Sequence, residues 1–271
     1  MRIPAPRLVV TLVAGLAIFL VPVATATAAS TQMSVTALPN KTLVPTDTTF
    51  HISGLVVSTT TPLVARLQQL VKTTWNYVGV ARTSSAGAYV MYFKQNQVGT
   101  DTFRVAIFAT ASMPVPKAVP LAISPQFKVT VAAWTYLAKL KFVEADAPYG
   151  VATGQAEIDG VTYDDSLIFK TARGAEAEYV AYNLERHCYS LSAVLGLDDN
   201  SNSGAYGEFT VTTDGKTVFD NRVSLGQASD ISLNVSSVFR LVLNVNFTGP
   251  KGAGRSGYDL VYGDARAFCS F

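Results

Sequence analysis

The chain has 271 residues, 49% of them hydrophobic and 15% charged, with 21 basic against 19 acidic side chains. That length allows two modest domains or one large one, and the hydrophobic content excludes disorder for the bulk of the chain. A charge this close to balance argues against nucleic acid or an anionic membrane as the main partner.

At the N-terminus, Arg2 and Arg7 accompany an apolar run from Leu8 to Val21, and Ala26-Thr27-Ala28 supplies the small residues of a cleavage site. Residues 1–28 are therefore expected to be a secretory signal peptide. The run is shorter than the roughly 20 residues needed to span a bilayer, and Pro22 ends it. Removing the two signal arginines from 21 basic residues leaves 19 against 19 acidic ones. The mature protein is expected to be secreted, extracellular or associated with the cell envelope, without inserting into the membrane.

Residues 29–132 show short strand patterns at regular spacing. They fall at Met33–Leu38, Thr48–Leu55, Leu63–Leu70, Trp75–Ala81, Ala88–Phe93, Phe103–Thr110 and Gln126–Val131, with Gly, Pro, Ser and Thr between them. Such spacing predicts a β-sandwich. The piece VARLQQLVKTTWNYVGVARTSSAGAYVMYF, followed by Gly99-Thr100-Asp101-Thr102-Phe103-Arg104, resembles bacterial Ig-like modules of secreted proteins. The resemblance implies a spacer or adhesion unit. Pro114, Pro116, Pro120 and Pro125 mark a loop or edge strand inside this module, and the boundary to the next is expected at Ala132-Ala133.

Residues 133–271 form the second expected domain. Strand patterns occur at Tyr136–Phe142, Ala156–Ile158, Val161–Tyr163, Leu167–Phe169 and Glu178–Leu184. Leu191, Ala193, Leu195 and Leu197 alternate with Ser190, Ser192, Val194 and Gly196, Ile231, Leu233 and Val235 with Asp230, Ser232 and Asn234, and Phe239, Leu241, Leu243, Val245 and Phe247 with Arg240, Val242, Asn244 and Asn246. Period-2 strands with polar outer faces predict an antiparallel sheet with one wet side. Asp214-Gly215 is a two-residue hairpin signal, since both central positions need positive φ, and it is expected to set Val211 opposite Val218. Asp264–Cys269 closes the chain. The architecture expected is a two-sheet jelly-roll sandwich, so the whole chain is all-β: two tandem sandwiches.

Cys188 and Cys269 are the two cysteines. In an oxidising compartment an even count suggests a disulfide, the alternative being two unpaired thiols in neighbouring strands. Simple alternation sets Cys188 on the Ser190 face and Cys269 on the Ala265 and Ala267 face, which opposes pairing unless the strand end twists.

The order YLAKL, IDGVTYDDSLIF, YNL, YSLSAVLGLDD, GEFTVTTDGKTVFDN, FRLVLNV and YGDARAF resembles the NPCBM family, a carbohydrate-binding module appended to secreted glycoside hydrolases. The resemblance spans Trp134–Phe271 and is most specific at Gly196-Leu197-Asp198-Asp199, Asp214-Gly215-Lys216 and Asp264-Ala265-Arg266. It implies a galactose-binding-like sandwich that takes galactose-type sugars or other cell-surface glycans. The chain departs from the family at two places: Ile168-Phe169-Lys170 replaces a Gly-Thr-His step, and Asp259-Leu260-Val261-Tyr262 replaces a His-x-Asp-Trp run. Sugar recognition needs an apolar ring against the pyranose C–H face and fixed polar groups for its hydroxyls. Lys170 and Asp259 are therefore the expected hydrogen-bonding groups, with Tyr258 and Tyr262 as ring platforms.

Other motifs carry less. Asp198-x-Asn200-x-Asn202 opens like a calcium loop, yet Ser203 stands where Gly is expected and Phe209 where the acidic ligand would be, so a structural calcium competes with a hydrogen-bonded turn. Gly252-Ala253-Gly254-Arg255-Ser256-Gly257 spells GxGxxG but follows Pro250 and precedes a strand, so it is expected to be a hairpin loop, one whose Arg255 can reach a ligand. His51 and His187 lie in different modules. Asp164-Asp165 and Asp198-Asp199 are adjacent pairs whose side chains diverge, unsuited to flanking one glycosidic bond. The expectation is a non-catalytic, cofactor-free monomer that binds glycans. The competing reading is an interaction protein of the envelope whose module no longer binds sugar.

Overall fold

A computed structural model describes residues 33–57, 62–109, 119–147, 150–171, 177–248 and 257–271. The expected signal peptide, Pro114, Pro116 and the Gly252–Ser256 loop with Arg255 lie outside them. Residues Met33–Phe271 make one compact unit. Its first strands are β1 (Ser34–Val35), β2 (Leu38–Pro39), β3 (Leu43–Pro45), β4 (Thr49–Val57) and β5 (Val64–Val71). Next come β6 (Thr74–Arg82), β7 (Ala88–Lys94), β8 (Gly99–Phe108), β9 (Ala122–Ile123) and β10 (Phe127–Tyr136). After a 3-10 turn at Leu137–Lys139 follow β11 (Glu144–Asp146), β12 (Val151–Ile158), β13 (Val161–Thr171), β14 (Glu178–Asn183) and β15 (Cys188–Leu197). The last are β16 (Tyr206–Thr213), β17 (Lys216–Ser224), β18 (Ser229–Asn234), β19 (Arg240–Thr248) and β20 (Tyr258–Cys269).

The first half is a β-sandwich. β4 pairs with β1, β2 and β7 in one sheet, and β10-β8-β5-β6 run side by side in the other, with β3 parallel to β10. Phe50, Ile52, Leu67, Phe103, Val105, Val129 and Val131 fill the space between them. An edge-on and stacked file of rings, Phe50, Phe93, Phe103 and Phe127, crosses it at centroid spacings of 5.6, 5.5 and 5.8 Å. Such pairs add to the burial of their area.

The second half is the jelly-roll sandwich. One sheet runs β12-β13-β20-β15-β18 and the other β11-β14-β19-β16-β17. Alternation puts Leu191, Ala193, Leu195, Leu241, Leu243 and Val245 into one core between them. The alternating runs are thus buried on one face as the pattern requires. The Ala132-Ala133 boundary falls inside a continuous strand: β10 pairs with β8 up to Val131 and with β20 from Ala133, opposite Cys269.

Three local expectations are corrected. Tyr136–Phe142 is not a strand, because β10 ends at Tyr136 and the chain makes the 3-10 turn that buries Leu137. Val161–Tyr163 and Leu167–Phe169 belong to the single strand β13. The Asp214-Gly215 turn forms with φ of 47° and 82°, but a register shift between Val211 and Thr212 sets Val211 opposite Phe219 instead of Val218. One extra residue in a hairpin moves every pair beyond it.

Cys188 and Cys269 are joined by a disulfide and sit directly opposite in the β15–β20 ladder. The register shifts between Cys188 and Ser190, so the bulged strand changes phase there. That shift carries Cys188 onto the buried face of Leu191, and with it the objection from simple alternation disappears.

Candidate functional site

β13, β15 and β19 end, and β14, β16 and β20 begin, at the same end of the jelly roll. Lys170 and Asp259 meet there as directly paired residues of β13 and β20, the Lys170 side chain exposed and Asp259 half-buried. Opposite charges facing each other across two strands attract. Burial, and next the neighbouring Asp198 carboxylate, push the Asp259 carboxyl above its ordinary value, while Lys170 works in the opposite direction.

The loop after Leu197 is built around Asp259. The Asp198 N–H donates to the Asp259 carbonyl at 2.9 Å, and the Asp259 N–H donates to Ser201 Oγ at 3.2 Å. Asp198 Oδ1 accepts from the Asn200 N–H at 3.0 Å and from Asn200 Nδ2 at 2.8 Å, while Oδ2 accepts from the Glu157 N–H at 3.2 Å. This is an Asx turn, in which the Asp198 side chain accepts from the backbone N–H two residues on. The calcium-like spacing thus has its leading carboxylate spent on protein donors.

Asp199 has a different role. Its Oδ1 and Oδ2 accept from the Asp159 and Gly160 N–H groups at 3.0 and 2.7 Å. Asp159-Gly160 is the tip of the β12–β13 hairpin, which lies across the outer face of its sheet. Ile158, Ala156 and Tyr163 pack there on Val194, Ile168 and Val261. Gly196 and Gly263 make this close approach possible, since a Cβ on either would run into Ile158 or Tyr163. Between hairpin and loop lies a polar depression of about 170 Å³, lined by Gln155, Glu157, Thr162, Asp198 and Asn200. The sequence offers Asn200 only as part of a calcium-like loop and gives no sign of Ser201 or the hairpin tip as binding-site parts, because only the fold brings residues 155–162 against 198–201.

The expected ring platforms are corrected. Tyr258 and Tyr262 are wholly buried, whereas Asp259 points the other way, because side chains alternate along β20. Tyr258 stacks on Phe247 with centroids 4.0 Å apart. Tyr262 packs against Phe209 and Phe169 and donates its hydroxyl to the Asn244 carbonyl at 2.9 Å. Burial pushes its phenol far above the ordinary value. The two tyrosines tie one sheet to the other and turn no face outward.

One inward group at this end is unexpected. Glu178, at the start of β14, is 1% exposed, and neither carboxylate oxygen makes a hydrogen bond among the described residues. Burial first, and then Asp146, raise its pKa to about 7. A carboxyl held this way is largely protonated in mildly acidic solution.

Residues 135–266 match the NPCBM/NEW2 domain. Among solved structures, the chain is similar to the CBM51 module of a Clostridium perfringens GH95 protein in complex with methyl-galactose. The identity is 19% over 49% of this chain and 99% of that one, with a TM-score of 0.40. It is also similar to the CBM51-2 and INT domains of Clostridium perfringens ZmpB, determined with and without GlcNAc. There the identity is 14% over 65% of this chain and 39% of that one, with a TM-score of 0.41. No curated protein matches the chain.

Proposed function

We propose that this is a secreted, non-catalytic glycan-binding protein that recognises galactose-type or other cell-surface sugars through the loop end of its C-terminal domain. The match of residues 135–266 to the NPCBM/NEW2 domain carries this reading. The geometry supports a place for it. Lys170 would donate to a sugar hydroxyl and Asp259 would accept from one, and bonds among Asp198, Asn200, Ser201 and Asp259 fix the loop backbone beside them before a ligand arrives. The N-terminal sandwich is assigned the role of an Ig-like spacer, directly continuous with the binding module through β10.

A second reading, an envelope interaction protein without sugar affinity, is favoured by the burial of Tyr258 and Tyr262. A glycan array carrying galactosides, N-acetylglucosaminides and bacterial cell-wall glycans separates the two. Saturable binding to at least one class supports the first reading. Flat response from protein shown to be folded by circular dichroism rejects it in favour of the second.

A further inference from the structure

The outer face of the sheet β11-β14-β19-β16-β17 carries a second depression, of about 280 Å³, on a different sheet from Lys170 and Asp259. Cross-strand register assembles it. Tyr179 lies opposite Asn244, Ala181 opposite Val242, and Glu144 opposite Ala181, with Arg240 at the margin. Ala181 and Val242 make an apolar floor of two small side chains. The Tyr179 hydroxyl donates to Glu144 Oε1 at 2.8 Å, and Asn244 Nδ2 donates to the Thr210 carbonyl at 3.2 Å, so both polar side chains are oriented.

Arg240 is the member without a full set of partners. Its Nη1 is buried and makes no hydrogen bond among the described residues, and Glu144 Oε2 stands 3.6 Å away, beyond good hydrogen-bonding distance. That nitrogen is sealed from solvent, but the Arg240 side chain as a whole is 35% exposed, so its other N–H groups can reach a ligand acceptor. The backbone beneath it is locked: Asp214 Oδ1 accepts from the Arg240 N–H at 2.8 Å and the Phe239 N–H at 3.1 Å. Those bonds, and next Arg186, hold the Asp214 carboxyl below its ordinary value. The specific Asp214-Gly215-Lys216 turn therefore fixes the strand that presents Arg240.

The charges select the ligand class. One guanidinium is balanced by Glu144, and Asp146 sits opposite Tyr179 on the same edge strand, so a carboxylate or phosphate would be repelled. What fits is a neutral ring with one C–H face for Ala181 and Val242, an oxygen to accept from Arg240 and a hydroxyl to donate to Glu144. The volume, at the lower limit of about 300 Å³ for ligand pockets, suits one such ring. We propose that this depression is a second sugar site, taking one neutral hexose or N-acetylhexosamine residue. It stands independently of the loop-end site, and the two together would make the domain bivalent for a branched or multi-chain glycan.

The test is amide and arginine side-chain NMR on the full chain, titrated separately with methyl-galactose, N-acetylglucosamine and glucose. The expected result is that at least one sugar moves the Ala181, Val242 and Asn244 amides together with Arg240 Nε–H. Arg240→Ala should weaken that response about tenfold or more, as loss of one charged hydrogen bond does. Ala181→Trp, which crowds the floor from a position only 1% exposed, should abolish it; if that variant does not fold, Arg240→Ala decides. The amides of Asp198 and Asp259 report the loop end separately, so either site can fail alone. The proposal is overturned if none of the three sugars moves residues 181, 242 and 244, or if their shifts persist unchanged in the variants.

Discussion

Replacing both cysteines by alanine removes a cross-link that closes a long stretch of the second sandwich. Cys188 and Cys269 are 81 residues apart, and the bridge joins the start of β15 to the end of β20, beside the point where β10 crosses from one sandwich to the other. Releasing a loop of that length returns about 15 cal/mol/K to the denatured chain, or about 4.5 kcal/mol at 25 °C. That figure is an upper one, since a compact denatured ensemble has less entropy to regain. Spread over the unfolding entropy of the second sandwich alone, or of both together, it lowers the melting temperature by about 15 °C or about 9 °C respectively. Differential scanning calorimetry of Cys188→Ala/Cys269→Ala beside the wild type reads it directly. A drop of less than about 3 °C would refute the reasoning, since the covalent closure would then add little to what the ladder already holds.

Two other outcomes follow from the core of the site. Tyr262→Phe should lose about 1 kcal/mol with its bond to the Asn244 carbonyl, and Tyr262→Ala about 3–5 kcal/mol, in denaturant melts. Tyr262→Phe should leave glycan binding intact, because the lost hydroxyl is buried and bonds the Asn244 carbonyl. Glu178 gives the pH dependence its sign. Its pKa is about 4.5 in the unfolded chain and about 7 in the fold, so the native state holds the extra proton between those values. Stability should therefore fall as pH rises from about 5 to about 8, by at most about 3 kcal/mol, and Glu178→Gln should flatten that slope. Melts of the two proteins at pH 5 and pH 8 check it; parallel curves would remove Glu178 as the cause.

Much of the fold was legible because burial imposes a period of two. Leu191 to Leu197 and Leu241 to Phe247 are buried on the alternating positions that the pattern predicts. Where the period breaks, reading along the chain fails. The bulge after Cys188 reverses its face, and the one beside Thr212 moves the partner of Val211 from Val218 to Phe219. These bulges depend on partner strands far away in sequence, so local pattern cannot show them.

The candidate site was less legible for the same reason. The pairing of Lys170 with Asp259 joins residues expected to cooperate. Alternation by itself, however, already assigns Tyr258 and Tyr262 to the face opposite Asp259, so their joint use as a site conflicted with the strand that holds them. The tethering of the Asp159-Gly160 tip by Asp199, and the meeting of Glu144, Tyr179 and Arg240 on one sheet face, link segments with no shared local signal.

Affinity for the best glycan on the array, measured by isothermal titration calorimetry for wild type and Lys170→Ala, tests the central claim most directly. The account predicts measurable binding by the wild type and a loss of about tenfold or more in the variant, with folding preserved because Lys170 is exposed. Equal affinities for the two proteins would contradict it.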